Sequence, residues 1–234
     1  MSTPRRIRLW DLPTRLFHWL LVLAIGGAWA SGELGGDLLV WHGRLGLLII
    51  ALVVFRLVWG VVGSTYARFG QFVRGPAAIL AYLRGQWHGI GHNPLGALSV
   101  LGLLGLVSLQ AATGLFAMND DIGFHGPFYD LVSGHTSELL TRLHHRIFKL
   151  LLLLVVLHLA AISFYKLVRK DNLILPMLSG HKEVTDPTLR PAEGGGLPAL
   201  LLALALALGA VYAASGVWLP PPPPPPPASS TPNW

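Results

Sequence analysis

From Leu39 to Val62 the chain reads LVWHGRLGLLIIALVVFRLVWGVV. A helix rises about 1.5 Å per residue, and the hydrocarbon core of a bilayer is about 30 Å thick, so about 20 apolar residues make a span. This stretch has the length, and its only strongly polar side chains are His42, Arg44 and Arg56. Outward from it, four more segments meet the same test: about Leu16 to Ala30, Leu95 to Met118, His144 to Val168 and Leu197 to Leu219. The first lacks the small-residue cleavage pattern of a signal peptide and carries a His and two Trp, so it reads as a retained helix. Composition agrees with five spans. Of 234 residues 53% are hydrophobic and 12% charged, about half the roughly 25% charge of soluble chains. A soluble globule, a disordered chain and a nucleic-acid-binding domain are excluded. With no Cys, disulfides, thiolate metal sites and covalently attached haem are excluded too.

The expected fold is all-α, an integral membrane helical bundle. Breakers punctuate it: Ser31-Gly32 with Gly35-Gly36, Gly63-Ser64, Gly75-Pro76, Asn93-Pro94 and the run Gly194 to Gly196. Twelve of the 17 Lys and Arg fall on one side of five spans: Arg5, Arg6, Arg8, Arg15; Arg68, Arg74, Arg84; Lys166, Arg169, Lys170, Lys182, Arg190. The opposite side holds Glu33, Asp37, Asp120, Asp121, Asp130 and Glu138. Cations concentrate on the cytoplasmic side, so the expectation is a bacterial inner-membrane protein with a cytoplasmic N terminus and a periplasmic C terminus. The formal charge of +6 reports orientation. A cytoplasmic linker is expected over 183–196, the fifth span over 197–219, and a Pro-rich periplasmic tail over 220–234, a stiff spacer without chemistry.

Ionisable groups inside a span are costly and mark function. They are His18 on the first span, His42 on the second, and His144, His145 and His158 on the fourth. Any one alone is explained by a helix–helix hydrogen bond or by snorkelling; four at matched depths form a pattern. His144 and His158 are 14 residues apart, about four turns less 40°, on one face and about 21 Å apart along the axis. His145 falls about 140° off that face and is expected to face the interface or an adjacent group. Given the direction of each span, His42 and His144 lie at the outer level, and His18 and His158 at the inner one. Two bis-imidazole haems stacked across a bilayer require that arrangement. Zinc or copper would call for three or four ligands at one level.

A macrocycle needs room and charge compensation. Gly26, Gly27, Gly46, Gly102, Gly105 and Gly114 could give the room, or serve ordinary close packing of helices. Arg44 and Arg56 are candidate partners of haem propionates, at the outer and inner levels respectively; the competing readings are an interfacial anchor and a helix–helix hydrogen bond. No Asp or Glu lies within the five expected spans, which leaves the inner propionate as the nearest anion for Arg56.

Several motifs carry a resemblance. Arg8-Leu-Trp-Asp-Leu-Pro-Thr-Arg-Leu-Phe-His-Trp19, His42-Gly-Arg-Leu-Gly46, Phe55-Arg-Leu-Val-Trp-Gly60, Tyr66-Ala-Arg-Phe-Gly-Gln-Phe72, Gly91-His-Asn-Pro-Leu-Gly-Ala97 and the spaced pair His144 and His158 together resemble the prokaryotic cytochrome b561 family, which includes the b-type cytochrome subunits of nickel hydrogenases. The match runs over about residues 7 to 182, so 1–182 is expected as a di-haem domain. The resemblance implies two non-covalent haem b groups held through His18, His42, His144 and His158. It also implies electron transfer between a quinone pool and a periplasmic partner: a cytochrome c, a hydrogenase or superoxide.

Membrane lipid is the expected environment, no nucleic acid is expected, and homodimerisation stays open. Asp120, Asp121, Asp130 and Glu138 could draw a cationic partner or merely solubilise a loop. His125 and His135 in the same loop, and His88 and His92 on the other side, are read as ordinary loop histidines, with His92 a cap or turn residue beside Asn93-Pro94. Two rival functions remain: a small His-lined transporter, and a haem-free membrane anchor subunit.

Overall fold

The computed structural model describes residues 4–87, 89–119 and 123–220. His88, Asp120, Asp121 and the tail beyond Pro220 lie outside the described residues. Among the described residues, five helices are long and apolar enough to cross a membrane. They are α1 (Leu12–Leu34), α2 (Leu39–Val62), α5 (Pro94–Gly114), α6 (Gly134–Leu167) and α8 (Gly196–Ala214). Three short helices join them on the side of the N-terminal arm: α3 (Phe69–Phe72), α4 (Pro76–Leu83) and α7 (Ile174–Ser179).

The helix starts follow local chemistry. Asp11 caps α1 by accepting from the Thr14 amide at 2.7 Å, and Asn93 caps α5 by accepting from the Gly96 amide at 2.8 Å. Pro76 and Pro94 occupy first turns, where the missing N–H costs nothing. Two boundaries differ from expectation. Ser31 and Gly32 do not break α1; the Ser31 hydroxyl donates to the Gly27 carbonyl at 2.7 Å, and the helix runs on to Leu34, ending at Gly35 with φ +65°. Helix α6 begins ten residues before His144. Its 34 residues span about 51 Å, more than the hydrocarbon core. His135 and Glu138, expected in a loop, therefore ride its first turns, where Glu138 pairs with Arg142 at 3.4 Å.

Ala24 of α1, Ile49, Leu52 and Val53 of α2, Leu104 and Val107 of α5, and Leu151 of α6 form the buried core of the four-helix part. The fifth span joins the bundle through α2: Ala203 and Ala207 are buried with Phe55 and Trp59. Small residues let the backbones approach, the usual basis of helix association in lipid. Leucines such as Leu23, Leu159 and Leu208 stay exposed on the outer faces, as a lipid solvent permits.

The helix ends on the side of the N-terminal arm are clasped. Strand β1 (Arg5–Arg8) pairs antiparallel with β4 (His181–Val184), Arg5 opposite Val184 and Arg8 opposite His181. The expected linker is tied down as well: the Ala192 amide donates to the Arg8 carbonyl at 2.7 Å and the Thr65 amide to the Glu193 carbonyl at 2.8 Å. On the outer side, β2 (Met118–Asn119) pairs with β3 (Phe124–His125) just past the end of α5. The third expected span thus stops four residues early and turns into this ribbon.

Candidate haem-binding sites

Each outer histidine is fixed by a backbone carbonyl of the neighbouring helix. His42 Nδ1 lies 2.8 Å from the Ala28 carbonyl oxygen on α1, and His144 Nδ1 lies 3.0 Å from the Gln110 carbonyl oxygen on α5. A carbonyl only accepts, so each Nδ1 carries the proton and donates. That tautomer leaves each Nε2 with a lone pair, the arrangement a metal-ligating imidazole takes up. The Thr113 hydroxyl, 3.3 Å from His144 Nδ1, completes the bracket.

The two rings meet across the bundle with centroids 6.1 Å apart. A metal bound by two imidazoles at about 2 Å per bond separates their ring centres by roughly the same distance. Two glycines make way for the rings. A Cβ on Gly32 would come within 2.9 Å of His42 Nδ1, and one on Gly114 within 3.1 Å of His144 Cε1. Gly114 was among the six glycines expected to give room; Gly32 was read as a breaker. Of the others, Gly27 and Gly102 abut Leu45 and Leu154, whereas a Cβ on Gly26, Gly46 or Gly105 would meet nothing within 4 Å. The pair opens into a cavity walled by Ile25, Ala28, Ile49, Val107, Ala111 and Leu151. Glu33, Gln110 and His145 also line it. His145 is exposed, with its ring 6.2 Å from that of His144.

At the inner level, His18 lies within electrostatic reach of His158. The buried Nδ1 of His18 has no hydrogen-bond partner among the described residues. The structure therefore brings the His42 and His144 rings together and anchors both by carbonyls, whereas no ring contact joins His18 to His158 among the described residues.

The two arginines part company. Arg44 is exposed, its guanidinium 5.0 Å from the Trp41 ring centroid; it does not line the cavity. Arg56 is 3% exposed, its guanidinium 4.7 Å from the Phe69 ring centroid, and its Nη1 has no hydrogen-bond partner among the described residues. One anion is nearer than expected. Asp11, outside the expected first span, accepts from the Trp59 indole N–H at 3.0 Å and lies within electrostatic reach of Arg56. Glu33 and Glu138 fall within α1 and α6, so the helices are not free of carboxylates as the shorter expected spans were.

Among the remaining histidines, His125 stacks on Tyr129 at 4.3 Å. His92 is not the α5 cap, since Asn93 has that role. Its ring sits 4.8 Å from Trp10 and 4.6 Å from Phe72, in electrostatic contact with Arg56, His158 and His18. Burial foremost, then the Arg56 charge, pulls its pKa down to about 3, which keeps the ring neutral. Sequence reasoning missed the roles of Asp11, Gly32 and Gln110, because each depends on a partner from another helix: Trp59 for Asp11, His42 for Gly32 and His144 for Gln110.

A bundle of apolar helices long enough to cross a membrane, with His42 and His144 facing each other in a cavity between them, defines the class: a helical membrane protein with paired histidines inside its bundle. Residues 9–180 match the family model described as prokaryotic cytochrome b561, and the chain belongs to that family of membrane b-type cytochromes, which carry electrons. Searches of curated proteins and of solved structures give no match.

Proposed function

We propose that this chain is a di-haem b-type cytochrome moving electrons across the bacterial inner membrane between the quinone pool and a periplasmic redox partner, a cytochrome c, a hydrogenase or superoxide. The observation that supports it most is the facing pair His42 and His144, 6.1 Å apart, each with Nδ1 committed to a carbonyl. On this reading His42 and His144 hold the outer haem, and His18 and His158 the inner one. Bound haem supplies a one-electron iron couple. The protein's residues set its place and surroundings: the carbonyls of Ala28 and Gln110 orient the outer imidazoles and raise their basicity, and the apolar walls exclude water.

Arg56 offers positive charge at the inner level to a propionate. Arg44, facing away, is carried forward only as an anchor at the outer interface, stacked on Trp41. Orientation rests on the cation distribution, with the N terminus cytoplasmic and the C terminus periplasmic. Residues 1–182 form the electron-carrying domain, and α8 braces α2.

A reduced-minus-oxidised spectrum of the detergent-purified chain tests the proposal. The expected result is b-type bands at about two haems per chain. A colourless preparation sinks it and leaves the transporter or the haem-free anchor subunit.

A further inference from the structure

A second cluster of unsatisfied polar atoms lies at the inner level. His92 Nδ1 and Arg56 Nη1 are both buried and both lack a hydrogen-bond partner among the described residues. They come from different elements, the loop before α5 and the last third of α2, and a run of rings links them: the Arg56 guanidinium lies 4.7 Å from the Phe69 ring centroid, Phe69 5.7 Å from Phe72, and Phe72 4.6 Å from His92, while His92 is within electrostatic reach of Arg56 and of the pair His18 and His158. Buried polar groups are nearly always satisfied, and leaving one unmade costs about 1–3 kcal/mol. Two such groups facing one region call for a shared acceptor.

The fold goes to some length to place His92 there. Trp10 of the N-terminal arm and Phe72 of α3 flank its ring, and both are buried. The preceding residue, Gly91, has φ +85°, in the left-handed region that favours glycine. A Cβ there would make only ordinary contact with Tyr66 and Trp10, so it is the backbone conformation that calls for glycine. This turn directs the imidazole inward, and Asn93 takes the cap, leaving His92 free of that duty. Asp11, the carboxylate near Arg56, is already engaged by the Trp59 indole and the Thr14 amide.

Resting on the proposed di-haem function, we infer that His92 joins Arg56 in holding a propionate of the inner haem, the imidazole donating from Nδ1 and the guanidinium from Nη1. A carboxylate suits the pair because it accepts from both donors at once, and a hydrogen bond to a charged group is the stronger kind. His92 is then a cofactor-positioning residue that ties the cytoplasmic loops to the redox centre.

The test uses the full chain, purified in detergent and titrated by visible spectroscopy. His92→Phe fills the aromatic cage but cannot donate, His92→Gln restores a donor, and each is also made in a His144→Ala chain, which retains only the inner haem. The expected result is that His92→Phe keeps both haems and shifts the inner midpoint potential downward, with the outer midpoint unmoved and His92→Gln part-way back. Combined with Arg56→Gln, the shift should be smaller than the sum of the two single shifts, since they share one acceptor. An inner midpoint unchanged by His92→Phe, or equal shifts at both haems, overturns the inference while leaving the di-haem reading intact. A wild-type chain without haem overturns both.

Discussion

Replacing Gly32 by Ala is the sharpest probe of the outer site, because helix propensity and haem binding pull in opposite directions. Gly32 is inside α1, where exchanging Gly for Ala favours the helix by about 1 kcal/mol. Its new Cβ, however, would stand 2.9 Å from His42 Nδ1 and 3.2 Å from Cε1. Ordinary contact lies at about 3.5–4.0 Å, so the ring must retreat by roughly half an ångström. The ring cannot swing freely, since its Nδ1 is held at 2.8 Å by the Ala28 carbonyl. Retreat stretches that bond, worth about 1 kcal/mol, and carries Nε2 by more than twice the roughly 0.2 Å tolerance of a metal–ligand distance. Disturbing an outer-shell partner weakens metal binding about 10–100-fold. The expected outcome is a chain that folds and inserts normally but whose haem content falls from about two towards one per chain under dilution. Gly26→Ala, on the same helix with nothing within 4 Å of its Cβ, should keep both haems. Full retention of both haems in Gly32→Ala, with an unshifted outer midpoint, would refute the geometry proposed for His42.

Other perturbations separate the remaining assignments. His42→Ala and His144→Ala should each abolish the same spectral component, and His18→Ala and His158→Ala the other; loss of one component by both His18 and His42 variants would break the pairing. His145→Ala should keep both haems, since His145 stands at the cavity edge while its neighbour faces His42; if His144→Ala keeps full haem instead, the ligand assignment is wrong. Arg56→Gln should lower the inner midpoint by tens of millivolts for a separation of about 10 Å at an effective dielectric near 20, towards the low end because Asp11 shares the charge. Equal shifts in both haems would return Arg56 to a packing role. A reporter active only in the periplasm should be active when fused after Trp234 and silent after Gly75; the reverse would exchange the inner and outer levels.

The class of fold and the candidate ligands were legible in the order of residues alone. Five apolar runs of spanning length admit only helices, since lipid leaves no other partner for the backbone, and a period of 3.6 with known span direction sorts four histidines into two depths. Those properties are local or one-dimensional, so a string of residues contains them. Helix ends were less legible. Ser31 and Gly32 read as breakers, but Ser31 satisfies its hydroxyl within the helix and a partner helix needs the bare face of Gly32. Helix α6 outruns its apolar stretch, because polar outer turns stabilised by Ser133 and the Glu138–Arg142 pair have no hydropathy signature. Helix packing, in contrast, settled which carbonyl holds each outer imidazole and hence which nitrogen keeps its lone pair. It also decided that Arg44 faces outward while Arg56 faces inward, that Asp11 reaches Trp59 across 48 residues, and that His92 is caged by Trp10 and Phe72. Each of these depends on how helices rotate and approach one another, which packing sets through contacts between residues far apart in the chain.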